Sequence, residues 1–526
     1  MKCSNTLVVT LINIVLLAVI ILSLPALIPI LALFQVHRQI VAQLLAVKYG
    51  ASFRGLMEGP DVVWAGQQRS SKSMVNVLLL FEKPARVSNG CGSDLLEILR
   101  NRLKRHQTDG TYQKMFWERR FQWGYYFWKE QGLPLWSDRY VKELDAVPNR
   151  GSLSRMELCT LIGSISSRDC SGTSWEMLVG SQPLRRHEGS AVTLYPVLFR
   201  YHHSIADGIA IFRLFCQDFL DNPAVSEKHV WNPDAANQGS VRRFLTWRNL
   251  LLMAFRSPRF LINEILFKRE RNSFIGEEPS DEKIVCWVGA DSERVGCCET
   301  TIINVIKSVK PLLDGCSFTD VFLTAFAMSL RSYCMRTGVP VPPAVTIGLM
   351  RRFHRESKAI QLRNRSTAVF KTLPLADLPI DGSSFATINE LLSQLDAVKG
   401  PVEAAQAAAD ALLTHLCVSY LPELLPAPIM RVLFSRSKFT IAMSNIPAFA
   451  GTVSVSENYI LKEAAFWVPN IETNLFGLTL MTTNGRLQIC AIADRRIIAR
   501  EAELDGLLSD TLRVLRGFEE LLKREN

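Results

Sequence analysis

Residues 7–34 carry no charged side chain, and this run restricts the fold more than any other feature of the 526-residue chain. Residues 7–24 alone would make ~27 Å of helix at about 1.5 Å per residue, close to the hydrocarbon thickness of a bilayer. Pro25 and Pro29 follow, so residues 26–34 either finish the crossing or turn back as a re-entrant half. The run exceeds a signal-peptide core, and no small-residue cleavage site precedes a polar region, which predicts an uncleaved anchor. Lys2 precedes it, whereas Arg38, Lys48 and Arg54 follow. That asymmetry predicts that the remainder of the chain faces the cytosol.

The length predicts two domains of ordinary size beyond the anchor. The twelve cysteines are scattered without CxxC pairs, as expected of reduced thiols. The net charge of +10 does not come with zinc ligands, a nucleic-acid motif or a dense basic tail, so no nucleic-acid partner is expected. Basic and apolar residues interleave instead. Residues 242–271 read as two amphipathic helices broken at Pro258, suited to an anionic bilayer surface with Trp247 and Phe255 inward, or to a connector between domains.

The densest chemical signal is His202-His203-Ser204-Ile205-Ala206-Asp207-Gly208. Residues 191–201 before it are rich in Val, Leu, Tyr and Phe, as in a buried strand. Residues 209–220 after it repeat apolar groups at helical spacing. A strand-to-helix turn can aim one imidazole into a cavity while the scaffold holds it still. Such a base suits acyl transfer to a hydroxyl. An alcohol holds its proton about as tightly as water, pKa roughly 16, and a neutral imidazole with pKa near ~6.5 can accept it as attack occurs. A thioester then releases a thiolate whose thiol has pKa about 8.5, so no covalent enzyme intermediate is required. Asp207 is placed to cap a helix N-terminus and pair with a distant Arg. Gly208 removes a side chain beside the base. Adjacent histidines are also common as satisfied core or surface groups. His203 and Asp207 could ligate a metal, but no further cluster of ligand spacing accompanies them, and no metal site is expected.

Elsewhere, strands are expected at residues 75–81, 439–445, 475–483 and 489–493 and helices at 95–106, 317–337 and 501–523. Strands and helices mix in both halves, which predicts an α/β (α+β) fold. The expected boundaries are an anchor at 1–36, a first half at 37–229, a connector at 230–300 and a second half at 301–526.

Several motifs in this order resemble the wax ester synthase/diacylglycerol acyltransferase family of CoA-dependent acyltransferases. HHSIADG matches its HHxxxDG motif. Asp169, Trp175 and Glu176 agree with its D-R-x-x-P-L-W-E segment, where Cys170 replaces Arg and Thr173-Ser174 replace Pro-Leu. Thr319-Asp320-Val321 resembles N-D-V, Arg363-Asn364 stands where G-N is expected, and Ser444-Asn445-Ile446-Pro447-Ala448 resembles S-N-x-P-G. The resemblance implies two chloramphenicol-acetyltransferase-like halves with a tunnel between them. It implies His203 as base, with His202 supporting, Asp207 structural and Gly208 part of the motif. The implied co-substrate is acyl-CoA, with no separate cofactor, and the implied acceptor is a long-chain alcohol or diacylglycerol drawn from membrane lipid. An enzyme of this kind is expected on the endoplasmic reticulum, a lipid droplet or the plasma membrane. Two alternatives are a condensation-type acyltransferase served by a carrier protein and a catalytically silent lipid-binding protein of the same fold.

Overall fold

The computed structural model describes residues 2–66, 73–83, 93–106, 110–131, 137–170, 172–185, 193–221, 246–260, 262, 270–276, 280–289, 301–352, 359–376, 387–400, 404–434, 438–447, 449, 451–470, 473–483 and 485–525. The chain begins as one helix, Lys2–Tyr49, that runs through both prolines. Each proline frees one carbonyl a turn earlier, a loss that long apolar helices accommodate. The re-entrant alternative therefore does not hold.

Two sheets build the body. The first runs in the order β13 (Ser454–Val455), β14 (Tyr459–Trp467), β2 (Met74–Glu82), β8 (Thr193–His202), β6 (Trp175–Val179) and β5 (Val141–Glu143), with β7 (Leu184–Arg185) on the flank of β8. The second runs β11 (Ser366–Pro374), β10 (Ala344–Arg352), β12 (Ile441–Pro447), β15 (Phe476–Thr483), β16 (Arg486–Asp494) and β9 (Lys283–Gly289). A smaller sheet of β1 (Phe53–Leu56), β4 (Tyr125–Glu130) and β3 (Trp117–Gln122) follows the N-terminal helix. The central strands are nearly continuous apolar runs, because helices or the other sheet cover both faces.

The two sheets are not built from separate stretches of chain. β14 lies in the second half of the sequence, yet it pairs antiparallel with β2 from Ile460↔Glu82 to Trp467↔Asn76. The boundary expected at 301–526 is corrected accordingly: β13 and β14 complete the first sheet. In the other direction, the helix Arg155–Ser166 packs on β9, where a Cβ at Gly163 would stand 2.6 Å from the Lys283 carbonyl oxygen. Trp467 closes the exchange by donating its indole N–H to the Cys286 carbonyl at 3.1 Å. β9 and β16 are further clasped by a fully buried pair, Lys283 Nζ to Asp494 at 2.7 Å.

The expected break at Pro258 is also corrected. One helix, Trp247–Phe260, contains that proline near its end. Residues 261 and 263–269, which the second of the two expected helices needs, lie outside the described residues. Cys159, Cys170, Cys216, Cys286, Cys316, Cys334, Cys417 and Cys490 are buried and form no disulfide.

Candidate active site

The HHSIADG turn begins at the C-terminal end of β8, an interior strand of the first sheet. His202 is the last strand residue, paired opposite Met74, and Gly208 opens the helix Gly208–Leu214. The turn is pinned through its backbone: His203 N–H donates to the Ser73 carbonyl (2.8 Å) and His202 N–H to the Ser174 carbonyl (2.9 Å). Thr173-Ser174, which replace Pro-Leu of the resembled motif, thus still hold the histidine segment. The Ser174 hydroxyl itself donates to the Trp117 carbonyl at 3.0 Å.

His203 is the histidine with a free nitrogen. Its Nδ1 lies 3.0 Å from Asn364 Oδ1. The orientation of that amide follows from its other contacts, since Asn364 Nδ2 donates to the His203 carbonyl and to Asp61 Oδ1, each at 2.8 Å. A nitrogen facing two acceptors must be the NH₂, so Oδ1 faces the imidazole and accepts Nδ1–H. Nε2 is left with its lone pair and has no hydrogen-bond partner among the described residues. The ring is also stacked on Trp64, with centroids 3.9 Å apart and planes 10° from parallel. Burial pushes its pKa down to about 4, against smaller opposing effects that include Asp207 and Asn364. At neutral pH the ring is uncharged, in the tautomer a general base needs.

Asn364 is 5% exposed and Asp61 1%. Burial pushes the Asp61 carboxyl up, and Lys114 Nζ at 2.6 Å opposes that effect. Lys114 also donates to the Leu362 carbonyl (2.9 Å), which ties the support of the base to the segment carrying Asn364.

His202 has a different role. It is 1% exposed, its Nε2 accepts from the Arg119 guanidinium, and its Nδ1 lies 2.8 Å from the Ser204 hydroxyl. Arginine cannot accept, so Nε2 is the acceptor, while Nδ1 faces both the Ser204 hydroxyl and the Ser204 N–H, the latter at 3.2 Å. Burial and then the Arg119 charge hold this imidazole well below its usual pKa. With both nitrogens engaged it positions the turn and does not serve as a base.

Asp207 joins the two halves of the molecule. One oxygen caps the Gly208 helix by accepting Ala210 N–H (3.1 Å) and sits 3.4 Å from Arg352 on β10. The other accepts from Arg365 N–H (3.0 Å) and the Ser366 hydroxyl (3.3 Å). Gly208 faces β12, and a Cβ there would lie 2.8 Å from Ile446 Cδ1.

The other motif residues separate into supports and lining. Trp175 is buried in a stack on Tyr140, and Glu176 binds the buried Arg200 guanidinium and Lys142. Ser317 and Asp320 form a capping box on the helix Phe318–Thr337, and Asp320 pairs with Lys371. These groups fix scaffold. Ile446 instead lines a cavity between the sheets with Gly208, Tyr201, Phe212, Phe449 and Met481. Its free volume is only about 40 Å³, so any ligand larger than a few atoms must part these side chains to enter. A larger, polar pocket of about 440 Å³ is lined by Arg54, Asp61, Lys114, Trp117, Trp128 and Leu362 among others. Among the described residues no group of His, Cys, Asp and Glu is arranged to hold a metal ion.

Asn364 was visible in the sequence only as a family position and as the first residue of an Asn-Arg-Ser glycosylation pattern. Trp64, Asp61 and Lys114 carried no signal, because nothing local distinguishes a tryptophan that will stack on a histidine far along the chain.

Residues 373–516 match the family model described as the WS/DGAT C-terminal domain. This C-terminal stretch is similar to that family's domain. No curated protein sequence matches it. Among solved structures, the wax ester synthase/diacylglycerol acyltransferase from Marinobacter aquaeolei VT8 superposes with a TM-score of 0.55 at 15% identity, covering 88% of this chain and 100% of that one. The trichothecene 15-O-acetyltransferase from Fusarium sporotrichioides gives a TM-score of 0.55 at 11% identity, covering 88% and 94%. At these identities the likeness speaks for the fold, a mixed α/β architecture of two halves. The WS/DGAT match supports acyltransferase activity.

Proposed function

We propose that this protein is a membrane-anchored O-acyltransferase that moves a long acyl chain from acyl-CoA to a lipid alcohol, with His203 as general base. One observation carries the reading: His203 is neutral and locked by Asn364 with its Nε2 lone pair free, while Asp61, which supports Asn364, lines a polar pocket and Tyr201 and Gly208 of the motif region line an apolar cavity. In the proposed step the alcohol oxygen attacks the thioester carbonyl while its proton passes to Nε2. Collapse of the tetrahedral adduct breaks the carbon–sulfur bond, and the imidazolium returns the proton to the departing thiolate. The neutral ring makes the first transfer possible, and the low thiol pKa of about 8.5 makes the second undemanding.

The N-terminal helix supports anchoring, since its segment Leu11–Ser52 contains an apolar window of mean hydropathy 3.0 whose residues all lie unburied against the body. Fatty alcohols and diacylglycerol reside in that phase, and wax ester or triacylglycerol is the product class proposed. Acyl-CoA is a cytosolic donor, so the catalytic body is placed on that side. Asn364-Arg365-Ser366 fits an N-glycosylation acceptor pattern, but its burial removes it as a reporter of topology. Protease added to intact microsomes should digest the body, and protection until detergent is added would reverse the orientation.

The test of activity is a microsomal assay with radiolabelled palmitoyl-CoA and a panel of hexadecanol, sterol and diacylglycerol. Ester formation should fall at least ~10²-fold in His203→Ala at equal protein level. Full activity in that variant removes His203 as the base, and lipid co-purification without turnover on any acceptor favours a silent lipid-binding protein.

A further inference from the structure

The motif that catalysis leaves unused is the basic, apolar segment around the helix Trp247–Phe260. Its inner face packs on the helix Ala404–Leu424, through Met253 and Phe260 against Leu413, Cys417 and Leu421, and Arg256 pairs with Asp410 at 2.9 Å. Its outer face holds Trp247 and Leu251, one turn apart, at 83% and 69% exposure. Two neighbours add to this surface. On the short helix Ala427–Phe434, Val432 is 77% exposed, and its first residue bonds to the β3–β4 turn (Ala427 N–H to the Gly124 carbonyl, 2.8 Å). In that turn Trp123 is 44% exposed.

These elements surround one place on the N-terminal helix. Arg38 pairs with Glu423 at 2.8 Å, and the Tyr125 hydroxyl reaches the carbonyls of both Phe34 (3.3 Å) and Leu424 (3.1 Å). The Trp247 helix packs along the same N-terminal helix. The uncharged run of residues 7–34 would span ~42 Å as helix, which equals the full bilayer with its headgroup layers. The body therefore begins where the membrane ends. Exposed cations, Lys48, Arg248, Arg259 and Arg431, intersperse with the apolar groups. Tryptophan beside arginine and lysine is the composition that partitions to a headgroup layer.

We infer that Trp247, Leu251, Val432 and Trp123 form a second membrane-contacting surface that seats the body in the anionic headgroup layer beside the anchor. This rests on reading the N-terminal helix as an anchor.

The chain separates the two readings by its own tryptophans, because none occurs before Trp64 and the anchor is therefore silent in emission. The full-length protein would be reconstituted in phosphatidylcholine/phosphatidylserine vesicles with acyl chains brominated near the headgroup. Retention is read by flotation and resistance to alkaline carbonate, and contact by quenching of tryptophan emission. Wild type should be quenched, and the double variant Trp123→Phe/Trp247→Phe should float equally well yet lose most of the lipid-dependent quenching. Unchanged quenching in the variant, or none in wild type that floats and resists carbonate, overturns the surface while the anchor stands. A self-associated protein with unquenched tryptophans would assign the face to a second copy, which also overturns the inference. Protein that does not float removes the anchor, and the surface with it.

Discussion

At the scale of single residues, the proposed base, His203, depends on one amide. Asn364 is polarised by Asp61 on one side and accepts from His203 on the other, so removing it frees both imidazole nitrogens to compete for the proton. Asn364→Leu, close in volume, should lower kcat by about 10–10²-fold with little change in KM for acyl-CoA. An equal loss in both would make Asn364 a binding group instead. The pH dependence has a definite sign. Burial places the folded pKa of His203 at about 4, against ~6.5 unfolded. The base thus stays neutral through the mildly acidic range, and the acid limb of kcat/KM should lie near pH 4. An acid limb at the ordinary histidine value would refute the buried setting. Stability behaves in a linked way: between those two pKa values the unfolded chain binds more protons than the folded one, so stability is present above about 6.5 and is lost as pH falls through about 4. His202, shifted in the same direction, adds to that loss.

At the scale of elements, the contact between the Gly208 helix and β12 sets the width of the apolar cavity. Ile446 already approaches the place of a Cβ on residue 208. Gly208→Val should cost about 1–3 kcal/mol through overpacking, measured by thermal or denaturant unfolding, and should reduce turnover on long acyl chains more than on short ones. Ile446→Ala in the same chain should recover part of both losses. If the double variant is no better than Gly208→Val, the two side chains do not share the space. The strand–turn–helix order around HHSIADG was legible in advance because each piece declares itself locally: apolar β-branched and aromatic residues in β8, polar turn groups, then apolar spacing in the helix. The helix runs on only as a single π turn, Phe215–Phe219. Pro25, Pro29 and Pro258 were misleading for the complementary reason. A proline costs hydrogen bonds locally, and an apolar or packed environment can outweigh that cost.

At the scale of the whole molecule, β13–β14 and the helix Arg155–Ser166 each complete the opposite half. Neither half has a complete sheet or a covered core without the other. Fragments covering residues 1–300 and 301–526 should each fail to fold when expressed alone and should recover activity only when co-expressed. The intact body should unfold in one calorimetric transition. Two separated transitions, or a soluble and monodisperse single fragment, would show that the exchange is dispensable.

The sequence by itself determined the long apolar segment at the N-terminus, the alternation of strands and helices, the placement of His203 at a turn and the capping of the following helix by Asp207. All of these follow from hydrophobicity, periodicity and capping within a few residues. Only the tertiary structure decided which nitrogen of His203 is free, that His202 is fully engaged, and that β14 belongs to the first sheet. Each of those depends on partners brought from distant positions: Asn364 and Asp61 around His203, Arg119 beside His202, and β2 beneath β14. A tautomer is set by which donor and acceptor lie within about 3 Å, and a strand's partner by which edge is left open. Neither is a property of local sequence.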